Sequence, residues 1–344
     1  MKKLGNNNII GNTALCNRLY SDIKAGTLSH AYIIEGRSGS GKHTLAKNII
    51  AALACLEDRE FLPCGQCKNC RDIFQDNCPD VFTIGRDGKS SLGIDAVRTL
   101  KNTISIVPNN LDFKAYILED ADTMTPQAQN AFLLTLEQPP ARAYFFILCE
   151  SARSLLETIR SRAPVVRMEP LSNEQIFEYI SSDKVKKSVS DAAKNIKNDS
   201  PEEYETILIE SGGSIGRAIE LLSPKTRKPL VEVRTLALNF IDSFRIGREF
   251  YHPLLFFSKF SSKREELIYQ LEYIKLCLRD LILLKKSDNV DLCFFADREK
   301  ALELSSSLAE KKLLSIFEAI SNSQALLSNN ANVSLTLTDL LASF

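Results

Sequence analysis

The chain has 344 residues, 44% of them hydrophobic, with 43 acidic and 43 basic side chains. That length supports two or three domains with sizeable cores, and zero formal charge excludes a whole surface that binds nucleic acid nonspecifically. Nine cysteines follow an N-terminus without an apolar run (Met1, Lys2, Lys3, then Asn6, Asn7, Asn8), and no stretch reaches membrane-span length, so a reduced, cytoplasmic protein is expected rather than an exported disulfide framework.

In chain order, Leu15, Leu19 and Ile23 mark an amphipathic helix that ends near Gly26. An apolar run over 31–34 then reads as a buried strand, followed by a glycine-rich turn (Gly36, Gly39, Gly41), Lys42, and a helical pattern through Leu45, Ile49 and Leu53. Strand, glycine loop, lysine and helix in that order form a phosphate-binding loop. Its glycines let backbone N–H groups turn inward around a phosphate, and the helix N-terminus adds partial positive charge. The pattern departs at one place. The residue after the lysine is His43 where a magnesium-binding Ser or Thr belongs, and Thr44 carries a hydroxyl one position late. Imidazole is a poor ligand for a cation that prefers oxygen.

Beyond the helix come Cys55, Cys64, Cys67 and Cys70, separated by eight, two and two residues. Four thiols so spaced suit a closed, structural tetrahedral zinc site. Cys78 is a possible substitute ligand, and Cys16, Cys149, Cys277 and Cys293 read as core. Further strands are expected at 79–84, 114–119, 144–149 and 163–168, with helices at 93–106, 126–137 and 154–159; Thr125 and Pro126 cap the second of these and Pro139 and Pro140 stop it. Apolar strands alternating with helices indicate a parallel sheet covered on both faces. The strand at 114–119 runs into Glu119 and Asp120, an acidic pair in the reverse of the Asp-Glu order that holds magnesium and positions water in working sites. Asp120 is about one methylene too short for the base, and a misplacement of about 1 Å can cost a hundredfold in rate. His30 and His252 lack partners at ligand spacing and read as structural. On chemistry alone Arg162 reads as a surface arginine.

After Pro170 the sequence is helical in short pieces (173–180, 188–196, 201–211, 214–222). A basic, proline-bounded linker is expected at 223–229. A long helix at about 263–285 places Leu267, Leu271, Ile274, Leu278 and Leu281 on one stripe, widened by Ile268 and Ile282.

Taken together, the chain resembles the clamp-loader branch of the AAA+ proteins in bacterial DNA polymerase III over nearly its full length. The likeness rests on Ile10-Gly11, Leu28-Ser29-His30-Ala31-Tyr32, the inserted four-cysteine module and Gln129-Asn130-Ala131-Phe132-Leu133-Leu134 with Leu136-Glu137-Gln138-Pro139-Pro140. It also rests on Ser161-Arg162, which is similar to the family's Ser-Arg-Cys arginine-finger motif with Ala163 for Cys, and on the lid-like Gly213-Ser214-Ile215-Gly216-Arg217-Ala218. The resemblance implies an α/β AAA+ P-loop domain over 1–170 with a zinc module at about 55–78. It further implies a small helical lid domain over 171–225 and an all-α oligomerising collar over 226–344. Within the family, His43, Glu119-Asp120, Cys149-Glu150 at the first sensor and Gly216 at the lid arginine's place depart from the gamma/tau ATPase subunit, while Arg162 is kept. That combination is similar to the delta-prime subunit, which is implied to be a stator without ATP turnover of its own in a DNA-directed DNA polymerase (nucleotidyltransferase) holoenzyme. It would join the gamma/tau and delta subunits, help place the sliding clamp on primed DNA, and lend Arg162 to a neighbour's ATP. The residues implied for a degenerate nucleotide site are Gly36, Gly39, Gly41, Lys42, Thr44, Glu119 and Asp120, with doubtful ATP and magnesium binding. Structural zinc would sit on Cys55, Cys64, Cys67 and Cys70. Two other readings compete: an active gamma/tau-type ATPase in which Thr44 and Glu119 take displaced roles, and a zinc-dependent nucleic-acid-binding regulator, which leaves the lid and collar resemblance unexplained.

Overall fold

A computed structural model of the chain describes residues 3–4, 9–57, 61–86, 88, 90–245, 256–287 and 289–344. The readings of Met1, Lys2, Asn6, Asn7, Asn8 and His252 lie outside the described residues. The chain divides into two compact units, Met1–Glu178 with Gly212–Arg217, and Tyr179–Ser211 with Ala218–Phe344.

The first unit is a parallel-sheet α/β fold. Its strands are β1 (Lys3–Leu4), β2 (Ala31–Glu35), β3 (Phe61–Leu62), β4 (Val81–Ile84), β5 (Lys114–Leu118), β6 (Ala143–Cys149) and β7 (Val165–Arg167). The main sheet has the order β4-β5-β6-β2-β7 and every pair is parallel. Side chains alternate between its faces, as a two-residue period requires. Tyr32, Ile34, Ala115, Ile117, Phe146 and Leu148 join one buried cluster, whereas Ala31, Ile33, Tyr116, Leu118, Phe145 and Ile147 join the other. Helices α1 (Thr13–Ala25), α2 (Lys42–Leu53) and α3 (Lys68–Phe74) supply residues to the first cluster. The second is completed by α4 (Ile94–Ile104), α5 (Pro126–Glu137) and α6 (Glu157–Arg160). Both faces are therefore dry, which is why no strand reads as alternating polar and apolar.

Local chemistry sets the element ends. Gly26 takes φ 67 after α1, and its N–H reaches the Asp22 and Ile23 carbonyls. Thr125 caps α5 by accepting the Ala128 N–H, with Pro126 in the first turn. Asp80 is fully buried and accepts N–H bonds from Asn109, Asn110 and Leu111 at 2.6–2.9 Å, fixing the turn into β5. The pair β1–β3, for which sequence reading holds no expectation, forms a small parallel sheet of its own, too short at two residues per strand to leave a periodic signal. One expectation is corrected here. The helix expected at 154–159 is a 3-10 turn at Ala152–Ser154 followed by α6.

The second unit is helical. Helix α7 (Asn173–Ile180) begins in the first unit, and α10 (Ile215–Leu222) likewise spans the division. Helices α8 (Lys187–Asp199), α9 (Pro201–Ser211) and α11 (Pro224–Asp242) are joined by α12 (Arg264–Lys286), α13 (Arg298–Ser306), α14 (Glu310–Ser328) and α15 (Val333–Ala342). The expected linker at 223–229 is instead the start of α11. Pro224 sits in its first turn, where a missing N–H costs nothing, and Pro229 is carried inside the helix. An interior proline costs about 3 kcal/mol, which burial of Leu230, Val233, Ala237, Phe240 and Ile241 on the same helix outweighs at about 1.5–3 kcal/mol for each large side chain. The α12 stripe Leu267, Leu271, Ile274, Leu278 and Leu281 is fully buried against α11, α13 and α14. Burial extends beyond it to Tyr273, Cys277 and Asp280; the Asp280 carboxylate accepts N–H bonds from Cys293, Phe294 and Phe295.

Candidate nucleotide loop, arginine and cysteine cluster

The turn between β2 and α2 brings Gly36, Gly39, Gly41 and Lys42 together as the spacing predicts. Gly41 caps α2 with φ 93, and Gly39 has φ 70. A Cβ on Gly39 would lie 2.9 Å from the Gly216 Cα, so the glycine is required by close backbone approach as well as by its φ. The segment 212–217 is fastened to this loop. Ser214 Oγ donates to the Ser38 carbonyl at 2.8 Å, Gly216 N–H to the Gly39 carbonyl at 3.0 Å, and Arg37 Nη1 to the Gly212 carbonyl at 3.2 Å.

The charged groups of the loop find partners inside the chain. Lys42 Nζ donates to the Gly36 carbonyl at 2.6 Å and the Arg37 carbonyl at 2.9 Å. Burial holds its ammonium below the usual lysine range, opposed by the carboxylates of Glu150, Asp122 and Asp120. His43 Nε2 lies 3.6 Å from Glu119 Oε1. Burial pushes the imidazole down, with Glu119 opposing, so at neutral pH the residue directly after Lys42 carries an uncharged ring. Asp120, in the left-handed region at φ 49, is ion-paired with Arg86 Nε at 2.8 Å. Thr44 lies in the first turn of α2, and its carbonyl accepts from Asn48 Nδ2 at 2.8 Å. Cys149, the last residue of β6, is 1% exposed, and burial pushes its thiol up to about 12. As a neutral thiol it is only a weak donor to a phosphate or water.

Arg162 lies just past α6, separated from it by the C-cap residue Ser161. Its Nη2 meets Glu137, the last residue of α5, at 2.9 Å; its Nη1 donates to the Thr158 carbonyl at 2.9 Å and to Ser161 Oγ at 3.3 Å. The side chain is 36% exposed, so the fork is partly available to a group outside the chain. Gln129, 4% exposed, braces the approach to α6: its Oε1 accepts from Leu156 N–H at 2.8 Å and its Nε2 donates to the Met124 and Ser154 carbonyls.

The sulfurs of Cys55, Cys64, Cys67 and Cys70 lie within 4.8 Å of one another, and Cys78 stands outside the group. Tetrahedral zinc with bonds of about 2.3 Å places sulfurs about 3.8 Å apart; Cys64 and Cys70 are at 3.9 Å. Backbone N–H groups of Cys67 and Gln66 point at Cys64 Sγ, and that of Cys64 at Cys55 Sγ, at 3.3–3.4 Å. Burial opposes ionisation of Cys67, but hydrogen bonds from the Leu56 and Cys70 backbone and neighbouring thiols bring it down to about 7. The donor set fits zinc: four thiols, thiolate-stabilising N–H groups and no place left for water.

Three features lay beyond sequence reasoning: the contact of Glu150 with the loop (Ser38 N–H to Glu150 Oε1, 3.1 Å), the Arg86–Asp120 pair and the Glu137–Arg162 pair. Each joins residues separated in sequence, and no local pattern marks any of them. Among the described residues no helix is long and apolar enough to cross a membrane.

Residues 11–172 match the family described as DNA polymerase III, delta subunit. The chain is 28% identical over 214 residues to a DNA polymerase III subunit gamma of Buchnera aphidicola, covering 62% of this chain and 56% of that one. It is 32% identical over 187 residues to a DNA polymerase III subunit delta' of Bacillus subtilis, covering 54% and 56%. The aligned part thus spans little more than half of either relative. Among solved structures, a gamma subunit-related protein of Thermotoga maritima aligns with TM-score 0.45 and 19% identity over 94% of this chain and 97% of that one.

Proposed function

Because residues 11–172 match the family described as DNA polymerase III, delta subunit, and the chain is similar to gamma and delta' subunits, we propose that it is a clamp-loader subunit, a delta-prime-like stator. It acts in the cytoplasm within a hetero-oligomer of gamma/tau and delta subunits that loads the sliding clamp on primed DNA. The observation that carries this reading is the internal pairing of the groups an ATPase needs free. Lys42 is spent on loop carbonyls, Glu119 faces His43, and Asp120 is tied to Arg86. Arg162, by contrast, is held near the surface by one half-exposed carboxylate and local acceptors. The alternative, a gamma/tau-type ATPase with Thr44 and Glu119 in displaced roles, needs Glu119 to orient water while it faces His43 and Thr44 to hold magnesium beside a half-buried imidazole, and is disfavoured on both counts.

In this reading 1–170 is the AAA+ domain, 171–225 the lid and 226–344 the collar that meets neighbouring subunits. Cys55, Cys64, Cys67 and Cys70 hold a structural zinc. The test is reconstitution: mixed with gamma/tau and delta subunits, the full chain co-elutes as one assembly that loads clamps on primed DNA, and omitting it lowers loading by about tenfold or more. Elution of the chain apart from those subunits, or undiminished loading without it, contradicts the assignment.

A further inference from the structure

We infer that Glu150 is a built-in occupant of the phosphate loop, its carboxylate taking the Ser38 N–H that an oxygen of a bound nucleotide's phosphates would otherwise accept. Resting on the reading of residues 36–42 as a degenerate nucleotide loop, it names the residue that keeps the loop closed.

The geometry gives the carboxylate an anion's place. In a phosphate loop, inward-facing N–H groups and the lysine ammonium act together on the phosphates. Here Ser38 N–H donates to Glu150 Oε1 at 3.1 Å. The carboxylate is also foremost among the negative charges acting on Lys42. Glu150 is placed for this by its own backbone: it follows the last residue of β6, and its N–H donates to Asp122 Oδ1 at 3.3 Å. The loop cannot easily turn its other groups outward, because Ser214 Oγ and Gly216 N–H hold the Ser38 and Gly39 carbonyls from the far side. An incoming nucleotide must therefore displace a charge-assisted hydrogen bond and bring its phosphates against a fixed negative charge. The loop's missing magnesium ligand explains why no metal would shield that repulsion.

The test measures binding of a fluorescent N-methylanthraniloyl-ADP to the full chain by anisotropy, in EDTA, with inorganic tripolyphosphate as competitor. Glu150→Ala is expected to tighten binding at least tenfold relative to wild type, and Glu150→Gln, which keeps an acceptor oxygen without the charge, by at least threefold. Asp95→Ala removes an equal charge from an exposed ion pair with Arg98 on α4 and is expected to leave affinity within twofold of wild type. Tripolyphosphate should displace the probe from the Ala variant. The inference is overturned if Glu150→Gln, or a folded Glu150→Ala, binds no more tightly than wild type, or if Asp95→Ala gains as much, since bulk charge would then suffice. Either result leaves the stator assignment standing, whereas loading that does not need the chain would remove that assignment and not this one.

Discussion

Replacing Arg162 by alanine is expected to slow ATP hydrolysis at a single neighbouring site of the assembled complex by roughly a thousandfold or more, the worth of a guanidinium supplied in trans. The guanidinium is always charged and planar and can grip two phosphate oxygens as charge develops in the transition state. In the chain by itself the fork is engaged by Glu137 and by the Thr158 carbonyl. A pair this exposed contributes about 0–1 kcal/mol, far less than the roughly 4 kcal/mol a thousandfold rate effect represents. Arg162 can therefore leave or share Glu137 when a neighbour's phosphates arrive. Because other sites keep their own arginines, total ATPase falls only in part, and clamp loading on primed DNA is the sharper readout. Folding, zinc content and assembly should be unchanged, and Arg162→Lys should be nearly as defective as Arg162→Ala. Full loading by the alanine variant would return Arg162 to the surface arginine that chemistry alone suggested.

Cys67→Ser is expected to take zinc from one per chain to near zero by metal analysis, and chelation of the wild type should do the same. Structural zinc bound by small domains is worth roughly 10–16 kcal/mol in apparent binding free energy, which is also folding free energy for the segment that carries the ligands. Loss here should be local at first. Cys64 and Cys70 are buried in the same cluster as Leu62, Ile73 and residues of α2, so the module frays while the sheet's own core persists. Cys78→Ser should retain the metal, because that thiol stands outside the four-sulfur group. Zinc kept by Cys67→Ser and lost from Cys78→Ser would reverse the ligand assignment.

Much of this architecture was legible because it is written in local signals. The buried strands, the glycine loop, the Thr125–Pro126 cap and the α12 stripe each lie within one short window, and each is found where its pattern puts it. The linker expected at 223–229 misled because two prolines and three basic residues are local breaker signals, whereas the burial of Leu230, Val233 and Phe240 that sustains α11 is tertiary. The candidate site divides the same way. The four cysteines and Arg162 are marked by their spacing and neighbours. What closes the loop is not: Ser38 and Glu150 are 112 positions apart, and the loop's fastening by Ser214 spans 176. The reversed Glu119-Asp120 order exposed the defect in the acidic motif, but it could not show that Arg86 and His43 face those carboxylates.

The most direct test of the central claim is ATP turnover by the purified full chain in magnesium, measured beside Lys42→Ala. With Lys42 committed to the Gly36 and Arg37 carbonyls, an uncharged His43 in place of the metal hydroxyl and Asp120 paired with Arg86, the account predicts no magnesium-dependent hydrolysis above that of the variant. Steady turnover of about one per second or more, in the range of working enzymes, and abolished by Lys42→Ala, would contradict it.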